Sequence, residues 1–381
     1  MFYRLSIIVF LFTLSACQQP TSVKEEPSRA SLTTIPLQYA SNFSIQKNGT
    51  LTILSVGKAW NGQNAPDLQY VLYPKTEKAP SGFGNAVLVP VPVDRIICTG
   101  TTQTAILDFL AASDRIVAIA DGKYLYNPSI QKRIEDGTLP ELGTEQGLNY
   151  EKALAVKPEL VFSFSNGGNR PHQKFTELGI PVVMIAEFME ETPLGKAEWV
   201  KFFAYFLGKE ESANSNFQAM AQRYETLKKE FSTVSSEKKP SVFTGTLQGS
   251  AWHVPGGKSF MARFIEDAGG QYLWADNEDA GALALDFETV LNKAQKADIW
   301  LNVILANSRK DLLATDERYQ YFQAFAQSKI YSYTARISKN GGYDFFESAI
   351  VRPDVVLQDL IHIFHPAALP NHKLFYYKHL P

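Results

Sequence analysis

The sequence is short of cysteine, of histidine and of net charge: 381 residues hold two Cys, six His and a formal net charge of −2. So balanced a chain lacks the strongly basic surface that phosphate backbones require, which excludes nucleic acid as an expected partner. Cys98 follows Ile96-Ile97 and reads as a buried strand residue. Cys17 sits at a processing site described below, so no intrachain disulfide is expected in the mature chain. Beyond the first residues no segment is apolar enough to cross a bilayer. A Gly-x-Ser-x-Gly elbow, a phosphate loop and a His-Glu-x-x-His helix are all missing, and the acids are too scattered to name a glycosidase pair. A secreted enzyme is therefore the weaker alternative, with no catalytic residue to nominate. His362 and His365 are spaced i, i+3, but Ile361, Ile363 and Phe364 mark a packed helix ended by Pro366. His372 and His379 complete no convergent set, so neither a metal site nor a cofactor is expected.

What is present begins at the N-terminus. Arg4 precedes an apolar run from Leu5 to Leu14, then Ser15-Ala16-Cys17. A charged start, a short apolar stretch and small residues before a cut describe an export signal. Leu14-Ser15-Ala16-Cys17 resembles the bacterial lipoprotein box, which implies removal of residues 1–16 and a lipid on Cys17. Residues 17–38, polar and rich in Ser, Pro and Glu, are expected to form a flexible tether. The expected location is the cell envelope, lipid-anchored to a membrane and facing the periplasm or the exterior.

The length allows two cored domains. Residues 39–94 alternate in short runs such as Leu51-Thr52-Ile53-Leu54, with Asn48-Gly49 as a hairpin signal, and predict an antiparallel β appendage. From Arg95 the pattern turns to buried strands (Ile96-Ile97, Ile116–Ile119, Leu160–Phe164, Val182–Ile185) separated by helices, such as Thr104–Ala112, and predicts an α/β lobe over 95–195. Residues 196–239 are helical: an aromatic stretch from Trp199 to Phe206, then Glu210–Val234 with Phe217, Met220, Ala221, Tyr224, Leu227 and Phe231 on one stripe. Residues 240–381 repeat the α/β design. Tyr150-Glu151 opens a helix that leads to Lys157-Pro158-Glu159-Leu160, and Phe287-Glu288 opens one that leads to Lys296-Ala297-Asp298-Ile299. The fold class expected is thus α/β: two doubly wound parallel-sheet lobes joined by a long helix, with ligands bound beyond the strand ends.

The run from Gln146 through Asn149-Tyr150-Glu151 to Lys157-Pro158-Glu159, the loop Thr99-Gly100-Thr101-Thr102 and Trp252 to Pro255-Gly256-Gly257 resemble the solute-binding proteins of ABC importers for iron complexes and cobalamin. Ala268-Gly269-Gly270 and Phe345-Phe346-Glu347 with Arg352-Pro353-Asp354 extend the likeness, which spans roughly 90–366. The resemblance implies a monomer that closes only slightly around its ligand and delivers it to a permease and its ATPase. In that family one Glu on each lobe rim docks into permease arginines, and the matching positions are Glu151 and Glu288. Ligand-facing candidates are Thr101, Thr102, Gln103, Lys123, Tyr124, Asn166 and Arg170 in the first lobe, with Gly167 and Gly168. In the second they are Trp252, His253, Lys339, Tyr343, Phe345, Phe346 and Arg352. Aromatics and cations at strand ends suit a flat or anionic ligand. A ferric siderophore is the first expectation; cobalamin and haem are alternatives, with Tyr124 or Tyr126 available to ligate haem iron. Glu347 and Arg352 have a second reading, as an internal salt bridge.

Overall fold

A computed structural model describes residues 32–60, 67–144, 147–165, 170–234, 238–304 and 306–381. Cys17 and the export signal lie outside them. The appendage is a sheet of five strands in sequential order: β1 (Thr33–Ile35), β2 (Phe43–Asn48), β3 (Leu51–Val56), β4 (Leu68–Pro74) and β5 (Val87–Val91). The expected hairpin is there, with Asn48 paired to Leu51 and Gly49 at φ +59°. The sheet is antiparallel from β1 to β4, as expected, and its last pair departs from this: β4 and β5 run parallel, because residues 75–86 return the chain to the same end of the sheet. The ordered body also starts earlier than residue 39, since Thr33–Ile35 pairs with β2 inside the stretch read as tether.

The first lobe runs β6 (Ile96–Cys98), α1 (Thr101–Phe109), β7 (Ile116–Ile119), α2 (Pro128–Glu135), α3 (Tyr150–Ala155), β8 (Leu160–Ser163), α4 (Arg170–Glu177) and β9 (Val182–Met184). Its four strands are all parallel, in the order β7-β6-β8-β9. Both faces are covered, which is why the strands read as unbroken apolar runs. Cys98 is buried there, and burial pushes its thiol well above the ordinary range.

Two helices join the lobes, α5 (Pro193–Leu207) and α6 (Glu210–Phe231). Nearly every residue of α5 is buried, the Glu198–Lys201 pair included, so it is enclosed all round instead of burying one stripe. The cause is packing on two sides. Phe43 and Tyr70 of the appendage meet Trp199, Phe202 and Phe206, while Phe162 of β8 meets Phe203 and Phe206. Helix α6 buries Phe217, Met220, Ala221, Tyr224 and Phe231, the stripe its spacing predicts.

In chain order the second lobe is β10 (Ser241–Thr244), β11 (Leu247–Gln248), β12 (Ala251–Pro255), α7 (Phe260–Asp267), β13 (Gln271–Tyr272), β14 (Ala282–Leu285), α8 (Phe287–Ala294), β15 (Ile299–Leu301), α9 (Arg309–Thr315), α10 (Gln323–Ala326), β16 (Tyr331–Ser332), α11 (Pro353–Phe364) and β17 (Lys378–His379). Its parallel sheet, β13-β10-β15, is accompanied by an antiparallel one, β11-β12-β14, so it is not a copy of the first lobe. Phe243, Trp252, Trp300, Tyr319 and Phe322 stack and tilt against one another in its core, each pair adding about 0.5–1.5 kcal/mol beyond area burial. The last residues are strapped down by Asp359, fully buried, which accepts from the amides of Phe375, Tyr376 and Tyr377 and pairs with His372 at 2.6 Å.

Candidate functional site

The cleft opens where strand ends of the two lobes meet. After β6 the chain turns at Gly100 into α1, and the Gln103 side chain accepts from the amides of Thr99 and Gly100 to cap it. That turn, with Asp121, Lys123, Tyr124, Phe164 and Tyr343, lines a cavity of about 460 Å³ on the first-lobe side. On the second-lobe side Thr246, His253, Phe260, Asn302, Tyr333 and Phe345 line one of about 330 Å³. A narrower apolar space between them is walled by Thr102, Lys196, Phe260, Phe264, Phe345 and Pro353. Phe346 borders all three and is 49% exposed, although its ring also packs edge-on against Tyr333, Tyr343 and Phe345. Tyr124, 53% exposed, presents a second ring, with the Lys123 ammonium over it 4.6 Å from its centroid.

Charge is distributed sparingly. Lys196, in the first turn of α5, lies 4.0 Å over the Phe260 ring. Burial holds its ammonium below the usual lysine range, and the charges of Glu187 and Glu190 offset this only in part. Glu187 is buried and takes the Thr102 hydroxyl at 2.7 Å on one oxygen, while its other oxygen has no hydrogen-bond partner.

Behind the cleft the lobes are clamped together. Glu347 accepts from the backbone amides of Tyr126 and Asn127 across the interface. Burial pushes its carboxyl up to about 7, against those two hydrogen bonds and with help from Asp344 and Asp108. The Thr101 hydroxyl donates to the Phe346 carbonyl at 3.1 Å, and Asn340 donates to Gln131 at 3.1 Å. Any Cβ at Gly342 would collide with the Tyr124 and Leu125 carbonyls, so the clamp requires glycine there.

Of the ligand-facing candidates, the structure brings Thr101, Thr102, Lys123, Tyr124, His253, Tyr343, Phe345 and Phe346 to the cleft walls. Four others go elsewhere. Gln103 is the buried helix cap just described. Trp252 is fully buried because β12 turns that face into the core, where its indole donates to the Thr244 carbonyl at 2.9 Å. Lys339 pairs with Glu135 on the outside of α2, and Arg352 stacks over Phe375, 4.5 Å from the ring. The Glu347–Arg352 salt bridge is replaced by the clamp on Tyr126 and Asn127, and Tyr126 lies in that rear crevice under Arg336. Asn166, Gly167, Gly168 and the Arg170 side chain lie outside the described residues. Lys196, Phe260, Tyr333 and Asp121 were not anticipated, since each belongs to the cleft only through tertiary placement. Three C-terminal histidines bond to backbone: His362 to the Leu369 carbonyl, His365 to the Gly269 carbonyl and His379 to the Ser328 carbonyl.

Glu151 and Glu288 occupy equivalent places. Asn149 caps α3 through the Lys152 amide, and Asp286 caps α8 through the Thr289 amide, which leaves each Glu exposed in its helix's first turn. Glu288 pairs with Arg318 at 3.1 Å, an exposed contact of small energetic weight.

Two α/β lobes joined by helices around an aromatic cleft are the architecture of a solute-binding protein. The chain belongs to the periplasmic binding protein family, whose model matches residues 96–337. An uncharacterized lipoprotein of Methanocaldococcus jannaschii is 24% identical over 368 residues, covering 90% of this chain and 84% of that one. Among solved structures, an ABC-type Fe3+-hydroxamate transport protein from Saccharomonospora viridis superposes with a TM-score of 0.53 at 19% identity, covering 72% of this chain and 94% of its own. A periplasmic heme-binding protein from Roseiflexus gives 0.55 at 20%, covering 72% and 99%.

Proposed function

We propose that this chain is the lipid-anchored binding component of an ABC importer, which captures an iron complex, a ferric siderophore before other ligands, and delivers it to a permease. The observation that carries the reading is the cleft itself, where the half-exposed rings of Tyr124 and Phe346 and the cation of Lys123 border one space. Rings of this kind favour a bulky or flat ligand, and the cation favours an acidic one. The lipoprotein box at Cys17 and the lipoprotein relative support the anchor. Glu151 and Glu288, set in matching first turns, support docking to permease arginines. Haem is the second reading, favoured by the exposed Tyr124 phenol in the first-lobe cavity.

The test is calorimetric titration of the chain from Ser22 onward with ferric siderophores, haem and cobalamin. Saturable binding of a ferric siderophore is the expected result. Tight binding of haem or cobalamin alone would reassign the ligand, and binding of none of the three would overturn the iron-complex reading.

A further inference from the structure

The cations that the sequence offers for an acidic ligand are mostly spent elsewhere: Lys339 pairs with Glu135, and Arg352 stacks on Phe375. A different cation lies in the cleft. Lys196 borders the apolar space between the two cavities, whose other walls include Phe260, Phe264, Phe345 and Pro353. Among the described residues no carboxylate oxygen reaches its Nζ within ion-pair distance. Of the two acids that act on it, Glu190 is committed to the Ser41 and Asn42 amides and the Trp199 indole, while Glu187 gives one oxygen to the Thr102 hydroxyl and keeps the other without a hydrogen bond. What Lys196 has is a π-face, Phe260, at 4.0 Å.

An ammonium in an apolar slot is costly unless an anion or a set of acceptors accompanies it. The α5 N-terminus around it has its Thr192 cap and no acidic residue in the first turn, so the helix dipole adds positive potential at the same spot. Thr102, on the same wall, keeps its hydroxyl on Glu187 and leaves Lys196 as the donor facing the space.

We propose that Lys196 is a ligand-contacting, specificity-determining residue, and that it takes an anionic oxygen, catecholate or carboxylate, carried on the ligand's periphery. This rests on the iron-complex reading and narrows it to acidic members of that class. The body of the ligand then lies against Phe260, Phe345 and Phe346, with its acidic edge toward the α5 N-terminus.

Two probe pairs test it: an anionic ferric tris-catecholate against a neutral ferric trihydroxamate, and haem against its dimethyl ester. Wild-type protein, Lys196→Met and Lys196→Arg are titrated with each, and thermal melting checks that the variants fold. In whichever pair binds, Lys196→Met is expected to weaken the charged member by about 10- to 100-fold and the uncharged member little, with Lys196→Arg recovering much of the loss. An equal fall for both members, no fall at all, or wild-type preference for the uncharged member would overturn the role of Lys196 while leaving the function standing. Wild-type binding of none of the four probes would overturn both.

Discussion

Glu347 illustrates how much one buried carboxyl decides. It reaches across the interface to the amides of Tyr126 and Asn127, and burial pushes it from its ordinary 4.5 up to about 7. A group raised in this way holds its proton in the folded protein longer than in the unfolded chain. Its contribution is fully present at low pH and is lost as pH rises through about 7. The denaturation midpoint should therefore fall between pH 5 and pH 8, and Glu347→Gln should flatten that fall by on the order of 3 kcal/mol. Parallel pH profiles for the two proteins would contradict this. The same scale shows what could be read from sequence. Thr101, Tyr124 and Phe346 follow strand ends or precede a helix, where α/β ligands sit, and they line the cleft. Trp252 is of an equally suggestive type, yet strand alternation turns it inward. Lys196 lies in a segment whose aromatics dominate the pattern, and only the approach of Phe260 from the other lobe puts it in the site.

At the scale of elements, α5 is the piece on which the others depend. Its Glu198 is fully buried and accepts the amides of Gln38, Tyr39 and Ala40, with Lys201 at 2.6 Å. The neighbouring Glu190 takes Ser41 and Asn42. Glu198→Ala would strand the buried Lys201 and three amides together, so a loss of about 3–5 kcal/mol is expected in chemical denaturation. A loss under 1 kcal/mol would mean that water replaces the carboxylate. The strand and helix order was legible because periods of 2 and 3.6 survive in local sequence. The fusion of appendage to lobe was not, because it depends on Phe43 and Tyr70 finding Trp199, Phe202 and Phe206 at large sequence separation. The parallel β4–β5 pair escaped for a similar reason: residues 75–86 carry no mark of which way they return.

For the whole molecule, the two exposed first-turn acids and the cleft predict separable phenotypes. Glu151→Lys with Glu288→Lys should abolish ligand uptake in cells while leaving affinity in solution within about twofold, as expected for exposed charges remote from the cleft. Unchanged uptake would remove the docking role. Two bridges join the lobes, the helices α5 and α6 on one side and the Glu347 clamp behind the cleft, so the mouth has little freedom to swing. The pinning of Gln38, Tyr39 and Ala40 onto α5 has a further consequence under the lipid anchor proposed at Cys17. From Cys17 to the first strand residue, Thr33, the chain counts sixteen steps, a contour of at most about 55 Å. The body is then confined to a thin shell above the bilayer. On the proposed reading, the body and its permease then search for one another within that shell instead of through the whole surrounding volume.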